Sequence, residues 1–194
     1  MEFNVFIIVY AVLQFIAFLL VVVGTPLDMF RVRGRLVPTQ QACLTLWGFK
    51  DSCGDRSISR TLATFFNQCT EARNHFYVAA TLAVISIFVY CAAFVLGVIM
   101  LYCCVYLRWV CLVLNIVGSV TLATSWVFVV LVFHQTDLSN CLLMRVSISF
   151  GVGFAVFLVA WVLELVSIAF LFIPWQYQDL DESSHSKKSN SQEE

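Results

Sequence analysis

Four long apolar runs, separated by polar segments, set the pattern of the chain. They extend over about residues 5–23, 76–104, 109–133 and 146–173. An α-helix needs roughly 20 apolar residues to cross a hydrocarbon layer about 30 Å thick, and each run is close to or beyond that length. The pattern predicts an all-α transmembrane fold, a four-helix bundle whose solvent is the lipid bilayer.

The first run lies close to Met1, so a cleaved signal peptide has to be considered. Its only flanking charge is Glu2, where a signal peptide has a basic region, and Val22, Val23 and Gly24 make a poor cleavage site. We therefore expect this run to be retained as the first span.

The polar segments define the two sides of the bilayer. Four spans put the loops 24–75 and 134–145 on one side and both termini on the other. The tail 176–194 is rich in Ser, Asp, Glu and Lys and has no apolar periodicity, which predicts disorder. The sequence thus predicts a membrane domain over residues 1–175 and a disordered tail over 176–194.

Composition and charge narrow the function. The chain is 61% hydrophobic and 12% charged, with a net charge of -1, which gives no basis for nucleic-acid binding. Metalloprotease, nucleophile-elbow and phosphate-loop motifs are absent, and the three histidines are scattered at His75, His134 and His185. We expect no enzymatic activity, no cofactor and no catalytic residue.

Charge and cysteine content point to opposite orientations. The loop side carries more basic residues (Arg31, Arg33, Arg35, Lys50, Arg56, Arg60, Arg73 and Arg145) than the side of the termini (Arg108, Lys187 and Lys188). The positive-inside rule would place the loops in the cytoplasm, but it weakens for long loops that fold. Cys43, Cys53, Cys69 and Cys141 all lie on the loop side, and paired cysteines suit an oxidising compartment. We expect a multi-pass membrane protein whose loops face the oxidising side and whose termini are both in the cytoplasm.

The most informative segment is CLTLWGFKDSC, from Cys43 to Cys53. Its pattern predicts a strand, a turn and a strand, which a Cys43–Cys53 disulfide would hold together. Cys69 would then pair with Cys141, while a Cys53–Cys69 bond is the rival pairing. A zinc site from the loop cysteines and His75 is conceivable, but no Cys-x-x-Cys spacing supports a metal.

This segment resembles the signature of the amastins, four-span surface proteins of trypanosomatid parasites. The matching positions are Cys43, Thr45, Trp47, Gly48, Lys50 and Cys53, while Ser52 departs mildly from the family pattern. The resemblance implies a claudin-like fold, in which the first outer loop forms a small extracellular antiparallel β-sheet. It also implies the plasma membrane of the intracellular parasite form and a role in parasite–host contact.

Two functions are compatible with these features. In the first, the stapled loop contacts a host membrane or a surface partner, with Trp47 and Phe49 as apolar anchors and a basic field formed by Arg31, Arg33, Arg35, Arg56 and Arg60. In the second, suggested by the resemblance, the bundle moves protons or ions. Residues 47 and 49 would share one face of a strand, so packing over the helix ends is their alternative role. We expect packing for Trp47 and leave Phe49 open.

Glu164 is the one acidic residue inside a predicted span. It lies roughly 13 Å from the inner end of the fourth run, and Asn115 and Ser119 lie on one face of the third at roughly 9 and 15 Å. We expect Glu164 to point into the bundle and bond one of them as structural glue. A proton or ion relay is the alternative.

The remaining candidates are weaker. Cys103 and Cys104 lie near the inner membrane face, where palmitoylation competes with packing as an explanation. Small residues recur at every fourth position (Ser147, Gly151 and Ala155; Ala93 and Gly97), a spacing suited to helix packing or to a homo-oligomer. No Asn-x-Ser/Thr sequon occurs, so N-glycosylation is not expected.

Overall fold

The computed structural model describes residues 5–33, 41–54, 57–66, 69–102, 107–138 and 147–190. The elements in these ranges are α1 (Val5–Gly24), β1 (Asp28–Arg33), β2 (Gln41–Thr45), β3 (Gly48–Lys50), β4 (Arg60–Thr61), α2 (Leu62–Phe65), α3 (Thr70–Tyr102), α4 (Leu107–Leu138), β5 (Ser147–Phe150) and α5 (Val152–Asn190).

The four long helices form a membrane bundle. Their apolar segments, long enough to cross a bilayer, are Ile7–Gly24, Thr70–Leu101, Leu107–Phe133 and Val152–Phe172. Helix α1 packs against α3 and α5, and α4 packs against the same two helices, so the four form a ring. Large apolar side chains such as Phe88, which is 70% exposed, cover the outside of the ring, where lipid is their solvent. The predicted four-helix membrane fold is confirmed.

A small antiparallel sheet lies at one end of the bundle. Its strand order is β4-β3-β2-β1-β5, so the first loop supplies four strands and the segment before α5 supplies the fifth. The backbone N–H of Gly151 donates to the carbonyl of Met29 at 2.8 Å and joins this last strand to the start of the first. The predicted antiparallel sheet is present, with one strand more than the first loop provides.

That fifth strand alters the predicted start of the fourth span. Residues 147–150 alternate serine with isoleucine and phenylalanine, and they pair with β1 instead of continuing the helix. Helix α5 begins at Val152, so Ser147 does not share a helix face with Gly151 and Ala155. The start of the second span also differs from the prediction: α3 begins at Thr70, whereas the sequence predicts a start at residue 76.

Aromatic packing joins the sheet to the helices. Phe30 of β1 is buried, and its ring lies 6.1 Å from the rings of both Phe76 in α3 and Phe133 in α4. Its cross-strand partners are Leu44 and Phe150, and side chains opposite each other project to the same face. This row therefore fixes the inner face of the sheet on the bundle, while the next row, through Cys43, lies on the opposite face of the sheet.

The tail differs from the expectation. Helix α5 continues to Asn190, through most of the segment 176–194 that the sequence predicts to be disordered. Extending an existing helix does not require a new nucleus, so a polar sequence can follow a stable span as helix.

Candidate functional site

The segment from Cys43 to Cys53 forms a hairpin whose turn is organised by one hydroxyl. Thr45 Oγ1 donates to the carbonyl of Gly48 at 2.9 Å and accepts from the backbone N–H groups of Trp47 at 3.3 Å and Gly48 at 3.2 Å. Because Thr45 is buried, these bonds are shielded from water. Thr45 therefore shapes the turn at Leu46 and Trp47 between β2 and β3.

A disulfide and a glycine complete the hairpin. Cys43 and Cys53 are disulfide-bonded, with their Cα atoms 5.1 Å apart. A Cβ on Gly48 would lie 2.5 Å from Ile58 Cγ2 and 2.7 Å from the Arg60 carbonyl oxygen, so the next strand can approach only a glycine. The bond predicted between Cys43 and Cys53 is present.

The two aromatic residues of the hairpin have opposite environments. Trp47 is 46% exposed, because it lies in the turn and not on the pleated strand. Phe49 is half-buried and stacks on Phe65, with the ring centroids 4.6 Å apart. The structure thus differs from the expectation that Trp47 packs inward, and it assigns the packing role to Phe49.

The basic field is only partly described. Arg31 Nε donates to Asp28 Oδ2 at 2.6 Å, so that charge is already paired. Arg60 is exposed on β4, and Lys50, opposite Cys43 in the register, is half-buried. Arg33 lies in β1 but its side chain is not described, and Arg35 and Arg56 lie outside the described residues.

The other cysteines divide between the two regions. Cys69 is also disulfide-bonded, and Cys141, its predicted partner, lies outside the described residues, as do Cys103 and Cys104. Cys91 and Cys111, within the spans, are free thiols. Because Cys43, Cys53 and Cys69 are oxidised, they offer no thiolate to the zinc site that the sequence left conceivable.

A second group of polar residues lies inside the bundle, around Glu164. This carboxylate is fully buried, as are Gln14 on α1 and Tyr90 on α3. The Gln14 side chain lies next to the Glu164 carboxylate but does not have the geometry of a hydrogen bond to it. The Tyr90 hydroxyl is close enough to interact electrostatically with the same carboxylate. Among the described residues, neither oxygen of Glu164 has a hydrogen-bond partner. The carboxylate points into the bundle, as the sequence predicts.

Asn115 is bonded to a residue that the sequence analysis did not consider. Asn115 Nδ2 donates to the Tyr10 hydroxyl at 3.0 Å, which joins α4 to α1. Ser119 is buried on the same face of α4. The structure therefore gathers Glu164, Asn115 and Ser119 within the bundle interior, but Asn115 pairs with Tyr10 and not with Glu164.

Further hydrogen bonds join α3 to α4. Ser86 Oγ donates to Thr121 Oγ1 at 2.9 Å, and Ser125 Oγ donates to the carbonyl of Ala79 at 2.8 Å. Such bonds within a bilayer contribute about 0.6 kcal/mol each on average. Buried polar side chains therefore occur along α4 from Asn115 toward the sheet. The bundle interior thus contains more polar contacts than the single cluster that the sequence predicts.

Comparison with known families identifies the chain. The family profile described as "Amastin: Amastin surface glycoprotein" matches residues 15–171, which include the sheet, the hairpin, the second and third spans, and parts of the first and fourth. No curated protein matches the chain closely enough to be reported as a relative. Because the family profile covers well over half of its length, the chain belongs to the amastin family of multi-pass surface membrane proteins.

Proposed function

We propose that this surface protein acts in contact between the parasite and its host, through the disulfide-stapled hairpin of its first loop. The observation that carries the proposal is the position of Trp47. Its side chain is nearly half exposed in a turn that is fixed by the Thr45 hydrogen bonds and closed by the Cys43–Cys53 disulfide. A large aromatic side chain presented on a rigid support loses little conformational entropy when it binds.

Neighbouring residues extend this surface. Ile58 is also exposed, and its Cγ2 atom lies against Gly48, the residue that follows Trp47. Exposed Arg60 adds a positive charge on β4, the strand next to β3 of the hairpin. An apolar tip beside a cation suits a membrane interface or an acidic surface on a partner.

The proposal requires the sheet to face outward. Oxidised cysteines support that orientation, because Cys43, Cys53 and Cys69 all lie at the sheet end. We propose that both termini are cytoplasmic. Labelling of the hairpin on intact cells with a membrane-impermeant reagent tests this directly; labelling of the C-terminal tail instead would contradict it.

The test of contact is Trp47→Ala, measured as attachment of cells that carry equal amounts of wild-type or variant protein at their surface. Because nearly half of the Trp47 side chain is exposed, its removal should cost little packing energy. We therefore expect attachment to fall several-fold while the surface level and the thermal stability of the protein stay close to wild type. Phe49→Ala removes a stacked ring and should instead lower stability by about 2–4 kcal/mol.

A matched control separates contact from a general loss of exposed aromatic surface. Phe88→Ala removes a ring that is 70% exposed on α3, away from the sheet, and should leave attachment unchanged. Wild-type attachment by Trp47→Ala at equal surface level would refute the proposed role.

A second candidate function is proton movement through the bundle, and the buried carboxylate of Glu164 favours it. The carboxylate is fully buried inside the fourth span, where an ionisable side chain is costly and often marks a proton or ion pathway. The test is proton flux into liposomes that contain the purified protein and a pH-sensitive dye. Glu164→Gln should abolish flux, while Ser167→Ala, which removes a hydroxyl that bonds the Leu163 carbonyl of its own helix, should not. Absence of flux with the wild-type protein would reject this candidate.

A further inference from the structure

A half-open cleft lies between α4 and α5 at the end of the bundle away from the sheet. It is lined by Arg108, Trp109 and Leu112 of α4 and by Leu171 and Phe172 of α5, and it is open on one side. These residues lie at the ends of the segments Leu107–Phe133 and Val152–Phe172, where a span meets the headgroup layer. The cleft is therefore placed where lipid headgroups would reach it.

Arg108 supplies the only charge in this lining. Its Nη2 atom donates to the carbonyl of Leu171, the same helix end that forms the opposite wall. A guanidinium has five N–H donors, so one such bond leaves most of its capacity for another acceptor. Among the side chains that the structure describes, the one ion pair is that of Arg31 with Asp28. A cation at a membrane boundary with donors to spare is suited to an anion from the membrane itself.

We propose that this cleft binds an anionic glycerophospholipid, with the lipid phosphate on Arg108 and the first part of the acyl chain along Leu112 and Phe172. The apolar lining favours an amphiphile over a free anion, since phosphate alone would leave those walls in contact with water. The cleft is open on one side, so a phosphate can reach Arg108 while the glycerol and the chains extend into the bilayer. The exposed ring of Trp109 borders the route of the chains.

The test uses the full chain purified in a neutral detergent, with thermal unfolding measured after addition of three probes. These are short-chain phosphatidylglycerol, short-chain phosphatidylcholine and inorganic phosphate. We expect a saturable rise in Tm with phosphatidylglycerol, a smaller rise with phosphatidylcholine and none with phosphate. Arg108→Gln should weaken phosphatidylglycerol binding about tenfold or more, the value of one charge-assisted bond.

Three further variants keep the result interpretable. Arg108→Lys preserves the charge and should retain the preference for the anionic lipid, whereas a merely structural bond to Leu171 predicts no lipid preference in any variant. Arg73→Gln removes an arginine in the first turns of α3, at the opposite end of the bundle, and should bind like wild type. Leu112→Phe, which narrows the cleft and keeps Arg108, should also weaken binding, so the inference is testable even if Arg108→Gln does not fold.

Three results would overturn the inference. They are an unchanged lipid preference in Arg108→Gln, an equal rise in Tm with inorganic phosphate, and an equal rise with both lipids.

Discussion

Replacing Thr45 by valine should open the outer hairpin while the membrane bundle stays folded. Valine has nearly the same shape and keeps the β-branched side chain that favours a strand. It removes the hydroxyl that bonds the Gly48 carbonyl at 2.9 Å and receives two backbone N–H groups at 3.3 and 3.2 Å. The substitution therefore isolates the hydrogen bonds of the turn.

The size of the effect follows from those three bonds. The short bond should contribute about 1 kcal/mol and the two longer ones about 0.5 kcal/mol each, because they share one acceptor at the long end of hydrogen-bond geometry. Gly48 is buried, so the groups left unpaired add a desolvation cost. We expect Thr45→Val to cost about 2–3 kcal/mol in the free energy of hairpin opening.

Thr45→Ser is the matched control, since it keeps the hydroxyl and loses one methyl group, worth about 1 kcal/mol. The readout is hydrogen exchange at the Ser59 amide, which donates to the Phe49 carbonyl at 3.0 Å and is not one of the groups that Thr45 bonds. A cost of 2–3 kcal/mol corresponds to exchange about 30- to 150-fold faster in the valine variant. Ser59 thus reports opening of the hairpin and not the local loss of an acceptor.

The reasoning would be refuted if the valine and serine variants exchange at the same rate at Ser59. It would also be refuted if faster exchange in the valine variant extended through α3 and α4, because the effect would then be general unfolding.

Three further predictions concern the staples and the packing of the fold. Replacing both Cys43 and Cys53 by serine should lower the free energy of unfolding by about 3 kcal/mol, from a closed loop of roughly 11 residues; an unchanged denaturation midpoint under non-reducing conditions would contradict this. Mass spectrometry of an unreduced digest should find Cys69 linked to Cys141, and a Cys69 peptide linked to another cysteine would refute that pairing. Gly97→Val should destabilise the bundle by about 1–3 kcal/mol, because even a Cβ would lie 2.8 Å from a ring carbon of the α1 tyrosine that it faces; a wild-type Tm in detergent would show that the two helices can separate at no cost.

The elements that the sequence predicts well are those decided by local features. Four apolar runs of bilayer length specify four helices. Within the bilayer no water can hydrogen-bond the backbone N–H and C=O groups, and an α-helix pairs these groups within the same segment. The cysteine-bounded segment likewise contains its own strands and turn. The start of the fourth span is harder to predict from the sequence, because Ile148 and Phe150 are apolar enough to continue a hydrophobic run. What makes them a strand is pairing with β1, more than 100 residues earlier in the chain.

The hairpin shows a similar limit at smaller scale. Alternation along a strand would place residues 47 and 49 on one face, but it assumes that both lie on the strand. The side chain of Thr45 bonds the backbone of Trp47 and Gly48, which moves Trp47 into the turn. Hydroxyl-bearing residues often form such local bonds, so a threonine shortly before a Trp-Gly pair is the signal that could have located the turn.

The interior polar residues illustrate what helix periodicity leaves open. Period and depth place Asn115 and Glu164 in the bundle interior, which the structure shows, but they do not give the rotation of α1. Tyr10 and Gln14 are one turn apart on that helix, and the first takes Asn115 while the second lies beside Glu164. A partner between helices depends on that rotation, so it could not be chosen from the sequence of the third and fourth spans alone.

The two candidate functions can be tested separately, because the residues that would carry them lie at different depths of the molecule. Glu164 lies 12 residues after Val152, about 18 Å along α5 from the sheet end. Groups that far apart with no shared partner usually contribute independently, so the effects of Trp47→Ala and Glu164→Gln should add in a double variant. If attachment instead depended on Glu164 as well, the hairpin and the bundle interior would have to change conformation together. The α3–α4 interface, whose Ser86–Thr121 and Ser125–Ala79 bonds lie between the two depths, would then be the first place to look for that coupling.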